Sequence, residues 1–173
     1  MDDSRPIRIL IVDDSRMDVE LTLDAFRQVR LANQVRVARS GQEAVDYMLG
    51  AGPYADRLRH PLPDIVLLDL KMPVTDGFEV LRRIKGEPDV RRIPVIIMTS
   101  SREEGDRALS YDIGANSYLV KPISFEGFVE TVTSVRDYWL SLNVGPPPFA
   151  LAAPASSSEV IQAPEDPAPG AGA

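Results

Sequence analysis

Residues 65–77 read IVLLDLKMPVTDG. Four apolar residues run without a polar break and stop at Asp69. A strand covered on both faces has this pattern, because neither of its faces meets water. A carboxylate directly after such a run is costly unless something pairs with it. Met72-Pro73 and Asp76-Gly77 then mark a turn. The same arrangement recurs along the chain. Ile7–Val12 (IRILIV) is followed by Asp13 and Asp14, and Pro94–Met98 (PVIIM) by Thr99, Ser100 and Ser101. Ser117–Val120 is followed by Lys121 and Pro122. Gln34–Ala38 alternates polar and apolar, as a strand nearer a sheet edge does.

Helical patterns lie between these runs. Val19, Leu23 and Phe26 recur at i, i+4, i+7 and predict a helix from about Ser15 to Val29. Ala44, Val45, Met48 and Leu49 suit a short helix after Gly41. Phe78, Leu81 and Ile84 predict one that ends near Gly86 and Pro88. Arg102–Ile113 is a helix closed by Gly114. Phe125, Phe128, Val129, Val132, Val135 and Trp139 form the stripe of a last helix. Five βα units of this kind imply an α/β fold, a doubly wound five-stranded parallel sheet with helices on both faces. The connection Gly50–Pro63 is long and rich in turn residues, where about 2–6 residues is usual.

Composition sets the outer bounds. The chain has 173 residues, 44% hydrophobic and 26% charged, enough for one domain with a core. A net charge of −7 gives no reason to expect nucleic acid or an anionic membrane as partner. There is no cysteine, so disulfides are excluded. No apolar run approaches the roughly 20 residues that span a bilayer, and the N-terminus lacks a secretory pattern. A cytoplasmic protein is expected. Residues 143–173 hold seven of the 15 prolines and no Lys or Arg. Such a segment buries too little apolar surface to offset its ordering entropy. Residues 1–142 are therefore expected to be the domain, and 143–173 a mostly disordered tail.

In a parallel sheet all strands end on one edge, where ligands bind. Asp13, Asp14, Asp69, Thr99 and Lys121 should therefore meet, although they are far apart in sequence. Clustered carboxylates repel, and a hard divalent cation relieves this. Carboxylates, a backbone carbonyl and water suit Mg²⁺ or Mn²⁺. An Asp can act as nucleophile and form an aspartyl phosphate, while Lys121 and Thr99 bind the phosphoryl oxygens. Taken alone, each residue has a blander role. Asp13 or Asp14 could cap the first helix, as could Ser15. Thr99 and Ser100 could cap the next helix, Lys121 could be solvated, and Tyr118 could be a half-buried strand aromatic. His60 lies without metal-ligand neighbours and reads as a surface residue.

Four segments together resemble the response-regulator receiver family: ILIVDDS, IVLLDLKMPVTDG, VIIMTS and YLVKP. The resemblance covers about residues 6 to 142. It implies the flavodoxin-like receiver fold with strand order 2-1-3-4-5. It further implies Asp69 as phospho-acceptor, with Thr99, Ser100, Lys121 and Tyr118 in the reacting and switching set. Asp14, Asp69 and the main-chain carbonyl of Lys71 would bind the metal directly, and Asp13 through water. The Lys121–Pro122 bond would be cis. Lys71 and Ser101 would tune the phosphoryl lifetime. On phosphorylation Thr99 and Tyr118 would move, changing the face formed by the fourth helix, fifth strand and fifth helix. The partner implied is a histidine kinase. The long connection, the Asp18-Val19-Glu20 run and Tyr138-Trp139-Leu140 resemble the receivers paired with bacterial phytochrome kinases. That group implies a homodimer through the last helix and C-terminal segment.

Three rivals fit less well. A hydrolase of the haloacid dehalogenase type would carry a second Asp two residues after the nucleophile, where this chain has Lys71. A flavin or nucleotide carrier would need a Gly- or Ser/Thr-rich phosphate loop after the first strand, not two carboxylates. A DNA-binding domain cannot be built from the Pro/Ala-rich tail.

Overall fold

The computed structural model describes residues 6–31 and 34–147. Its elements are β1 (Arg8–Val12), α1 (Arg16–Gln28), β2 (Gln34–Ala38), α2 (Gly41–Leu49), β3 (Ile65–Leu68), α3 (Gly77–Gly86), β4 (Val95–Thr99), α4 (Glu104–Ile113), β5 (Ser117–Val120) and α5 (Phe125–Val135). The strands form one sheet in the order β2-β1-β3-β4-β5, all neighbours parallel. This is the receiver topology expected above.

Alternation along the strands sends successive side chains to opposite faces. Leu10, Val12, Val66, Leu68, Val95 and Ile97 pack with Met48, Leu81 and Ile84 of α2 and α3. Ile9, Ile11, Ile65, Leu67, Ile96 and Met98 pack with Val19 and Phe26 of α1 and Phe128 and Val132 of α5. Strands β1, β3 and β4 are therefore sandwiched, as their unbroken apolar runs require. The edge at α4 and β5 is held less firmly. Ser110 is the only buried residue of α4, and every residue of β5 is half-buried.

Hydroxyl and carboxylate caps start four helices. Ser15, Ser40, Asp76 and Ser124 each accept a hydrogen bond from the backbone N–H three residues on. Helix α4 begins at Glu104 and has no side-chain cap, so the start expected at Arg102 is two residues early. The expected single last helix also differs. It loosens into π-helical turns over Arg136–Leu142. The wider turns place both Trp139 and Leu140 against the second core, and the Arg136 guanidinium donates to the Val29 carbonyl at 3.3 Å. Of the expected tail, residues 148–173 lie outside the described residues.

The long connection is a structured cluster. The Arg36 guanidinium carbon lies 4.9 Å from the Tyr47 ring centroid and 5.1 Å from that of Tyr54. His60 packs edge-on against Tyr54 at 5.2 Å, so it is half-buried in this cluster and not the surface residue expected. Arg57 donates to the carbonyls of Tyr47 and Met48, both at 2.7 Å, closing the open end of α2. A cavity of about 930 Å³ lies beside this connection at the N-terminal edge of the sheet. Among the described residues no helix is long and apolar enough to cross a membrane.

Lys85 pins the loop between α3 and β4. Its Nζ donates to the carbonyls of Arg91 at 3.1 Å and Ile93 at 2.9 Å, and to Asn116 Oδ1 at 3.1 Å. Burial lowers its pKa from 10.5 to about 8. Lys85→Met removes a charged donor from these oxygens, and we expect a loss of about 2 kcal/mol in urea unfolding at pH 7. The pH slope is a second check. Between pH 8 and 10.5 the unfolded chain keeps a proton that folded Lys85 releases, so this group adds stability as pH rises through that window. The wild-type advantage over Lys85→Met should therefore grow from pH 8 to 10.5.

Candidate functional site

The strand registers bring the chemical residues to one edge. Val12 pairs with Leu68, Leu68 with Ile97, and Thr99 with Val120. Each is the last or nearly the last residue of its strand. Asp13, Asp14, Asp69, Thr99 and Lys121 follow on the same side of the sheet or end it there.

The centre of the site is the ammonium of Lys121. Its Nζ lies 2.8 Å from Asp13 Oδ2, 2.7 Å from Asp18 Oδ2 and 3.4 Å from Asp69 Oδ2. Burial alone would lower its pKa, but the hydrogen bonds to Asp13 and Asp18 and the charges of Asp13 and Asp69 outweigh this and hold it above the ordinary lysine value. Asp13 is raised by burial, an effect that Lys121 partly offsets. Asp13, Asp14 and Asp69 each present a carboxylate oxygen within 4.8 Å of the others. Asp13 and Asp69 are buried and Asp14 is exposed, so the cluster opens to solvent on the Asp14 side. One ammonium faces three of the four carboxylates, and the excess negative charge suits a hard divalent cation.

Local sequence explains how the carboxylates are freed for this. Ser15 caps α1, accepting from the Asp18 N–H at 3.2 Å. Neither Asp13 nor Asp14 is needed as the cap. Asp13 Oδ1 instead accepts from the Ser15 N–H at 2.9 Å, leaving Oδ2 for Lys121. Gly77 fixes the turn after Asp69. A Cβ there would sit 2.2 Å from the Asp69 carbonyl oxygen, so only glycine lets the start of α3 approach so closely. Val74, fully exposed in the same turn, has a φ of 64°. That region costs a non-glycine residue roughly 1–2 kcal/mol, so the turn after Asp69 is a strained one.

The remaining expected residues are placed as follows. Thr99 is fully buried, and its Oγ1 accepts from the Ser101 N–H at 3.3 Å. Ser100 is exposed, and its neighbour Ser101 is the buried serine. Tyr118 is half-buried, and its hydroxyl donates to the Ser101 carbonyl at 3.1 Å. The Lys71 backbone N–H donates to Asp69 Oδ1 at 3.3 Å, while its side chain turns to Asp106 at 2.8 Å. The Lys121–Pro122 bond, expected to be cis, is trans; among the described residues no peptide bond is cis. Trans is the lower-energy form before proline, and in it Lys121 reaches the carboxylates.

Asp18 is a site residue that the sequence reading missed as chemistry. Its signal was present: it lies one helical turn after Asp14, on the same side of the start of α1. An acid three residues after a serine cap reads more simply as part of a capping box. Here the N–H that such an acid would bind is already taken by Asp13.

A family model for the response regulator receiver domain matches residues 9–133. The chain belongs to the response regulator receiver family. It is a response regulator of two-component signalling. The response regulator Rcp1 of Synechocystis sp. is 34% identical over 140 residues, 80% of this chain and 93% of that protein. Its Mn²⁺-bound crystal structure superposes with a TM-score of 0.75 at 33% identity, covering 82% of this chain and 100% of that one. The phosphorylated cyanobacterial phytochrome response regulator RcpA gives 0.78 at 34% identity, covering 83% of this chain and all of its own. The bacteriophytochrome response regulator AtBRR is 44% identical with a TM-score of 0.64, covering 81% and 99%.

Proposed function

We propose that Asp69 accepts a phosphoryl group from the phosphohistidine of a histidine kinase. The observation that carries this is the convergence of Asp13, Asp14 and Asp69 with Lys121 Nζ 3.4 Å from Asp69 Oδ2. A carboxylate oxygen of Asp69 attacks phosphorus, the bond from phosphorus to the imidazole nitrogen breaks, and the electron pair stays on the imidazole. The product is an acyl phosphate. Lys121 holds one phosphoryl oxygen by charge and hydrogen bond, and the Thr99 hydroxyl donates to another. Asp14, Asp69 and the Lys71 carbonyl would hold Mg²⁺ or Mn²⁺, with Asp13 acting through water. The ion supplies charge neutralisation for the carboxylates and the incoming phosphoryl oxygens. Asp18 keeps Lys121 charged and in place. The chain is a switch and not an enzyme acting on outside substrates, because it carries Lys71 where a phosphatase of similar chemistry has its general acid.

RcpA, a phytochrome response regulator, and AtBRR, a bacteriophytochrome response regulator, support a kinase of the phytochrome type. Full chain incubated with acetyl phosphate and Mg²⁺ should gain one phosphoryl group by intact-mass spectrometry. Asp69→Asn should gain none, and chelation should stop the reaction. Undiminished labelling of Asp69→Asn would remove Asp69 from this role.

We further propose a homodimer through the last helix and the C-terminal segment. Tyr138, Leu142 and Val144 are exposed there, an apolar run that a second copy can cover. Light scattering should give twice the chain mass for residues 1–173 and the single mass once residues 138–173 are removed. A single mass for the full chain at high concentration contradicts the dimer.

A further inference from the structure

Helix α4 has one buried residue and no side-chain cap, yet it sits beside the switch residues. Its start is tied down by the Glu103 N–H, which donates to Ser101 Oγ at 3.3 Å, and by one carboxylate of the first turn. Asp106 Oδ2 takes the Lys71 ammonium at 2.8 Å and the Ser101 hydroxyl at 2.6 Å. Ser101 in turn bonds both Thr99 and Tyr118. Its N–H donates to Thr99 Oγ1 at 3.3 Å, and its carbonyl accepts from the Tyr118 hydroxyl at 3.1 Å. Lys71 is two residues after Asp69 and bonds it through its backbone N–H at 3.3 Å. One carboxylate thus joins the acceptor turn, the loop after β4 and the start of α4.

We propose that Asp106 is a positioning residue for the switch: it latches Thr99 and Tyr118 in the unphosphorylated arrangement and lets go when a phosphoryl group on Asp69 draws Lys71 away. This rests on Asp69 being the acceptor. A phosphoryl group adds negative charge beside Lys71, whose side chain is half-exposed. Once Lys71 leaves, the Asp106 carboxylate keeps the Ser101 hydroxyl but loses its bond to the turn after Asp69, and the loop carrying Thr99 is loosened. The hydrogen bond from Lys71, then that from Ser101, holds the Asp106 carboxyl below its ordinary pKa, in keeping with a latch that is fully charged at neutral pH. A group that stabilises only the resting arrangement must weaken binding of whatever selects the other one.

The test is the affinity of the full chain for beryllofluoride, a phosphoryl mimic, with Mg²⁺ present, read by fluorine NMR. Asp106→Asn should bind it about 3- to 10-fold more tightly, the range of a modest coupling between sites. Its urea midpoint should fall, because the same bonds stabilise the resting fold. Tighter binding with lower stability is a result that a purely structural role does not produce. If Asp106→Asn does not fold, Ser101→Ala cuts the other arm and should also tighten binding. Equal or weaker affinity in the folded variants overturns the latch. A wild-type chain that takes no beryllofluoride overturns the acceptor reading itself, and the latch with it.

Discussion

One ammonium group organises the C-terminal edge of the sheet. Lys121 is drawn to Asp13 and Asp18 within 2.8 Å and to Asp69 at 3.4 Å, three carboxylates that would otherwise repel. The partners come from three elements that only the sheet brings together. Hydrogen bonds and opposite charges outweigh the cost of burying this amine. The site still carries more negative than positive charge, so the edge suits a divalent cation. Stability and reactivity share the same residues here: the arrangement that satisfies Lys121 also presents Asp69.

Rigidity is unevenly spread, and the pattern suits a switch. Strands β1, β3 and β4 are buried on both faces and fix Asp13 and Asp69. Strand β5 is only half-buried, and α4 rests on polar bonds through Asp106 and Ser110. Apolar packing changes little when charge is added to a site, whereas polar bonds exchange readily. The proposed acceptor Asp69 therefore sits on the firm half of the sheet, and Thr99, Tyr118 and α4 border the half held by polar bonds.

Much of this was legible in the sequence for a plain reason. In a parallel sheet, the residue after each apolar run is placed by topology, so Asp13, Asp14, Asp69, Thr99 and Lys121 could be brought together from strand boundaries alone. Asp18 and Asp106 could not. Both lie in the first turn of a helix, where an acid is already explained by the helix dipole. Nothing local says that Lys121 or Lys71 will reach them. The π-helical turns after Val135 were hidden similarly, since the stripe ending in Trp139 fits an ordinary helix. The long connection looked irregular because its order comes from Arg36, outside it, stacking on Tyr47 and Tyr54.

The arrangement of Asp13, Asp14 and Asp69 calls for one cation shared by sequence-distant carboxylates beside Lys121. Titration of the isotope-labelled chain with paramagnetic Mn²⁺ tests it directly by NMR. Amide signals near residues 13–18, 69–71, 99–101 and 121 should broaden first and together at the lowest Mn²⁺ added, while those at the opposite end of the sheet stay sharp. Broadening confined to one acidic stretch, or spread evenly over the surface, would contradict the account.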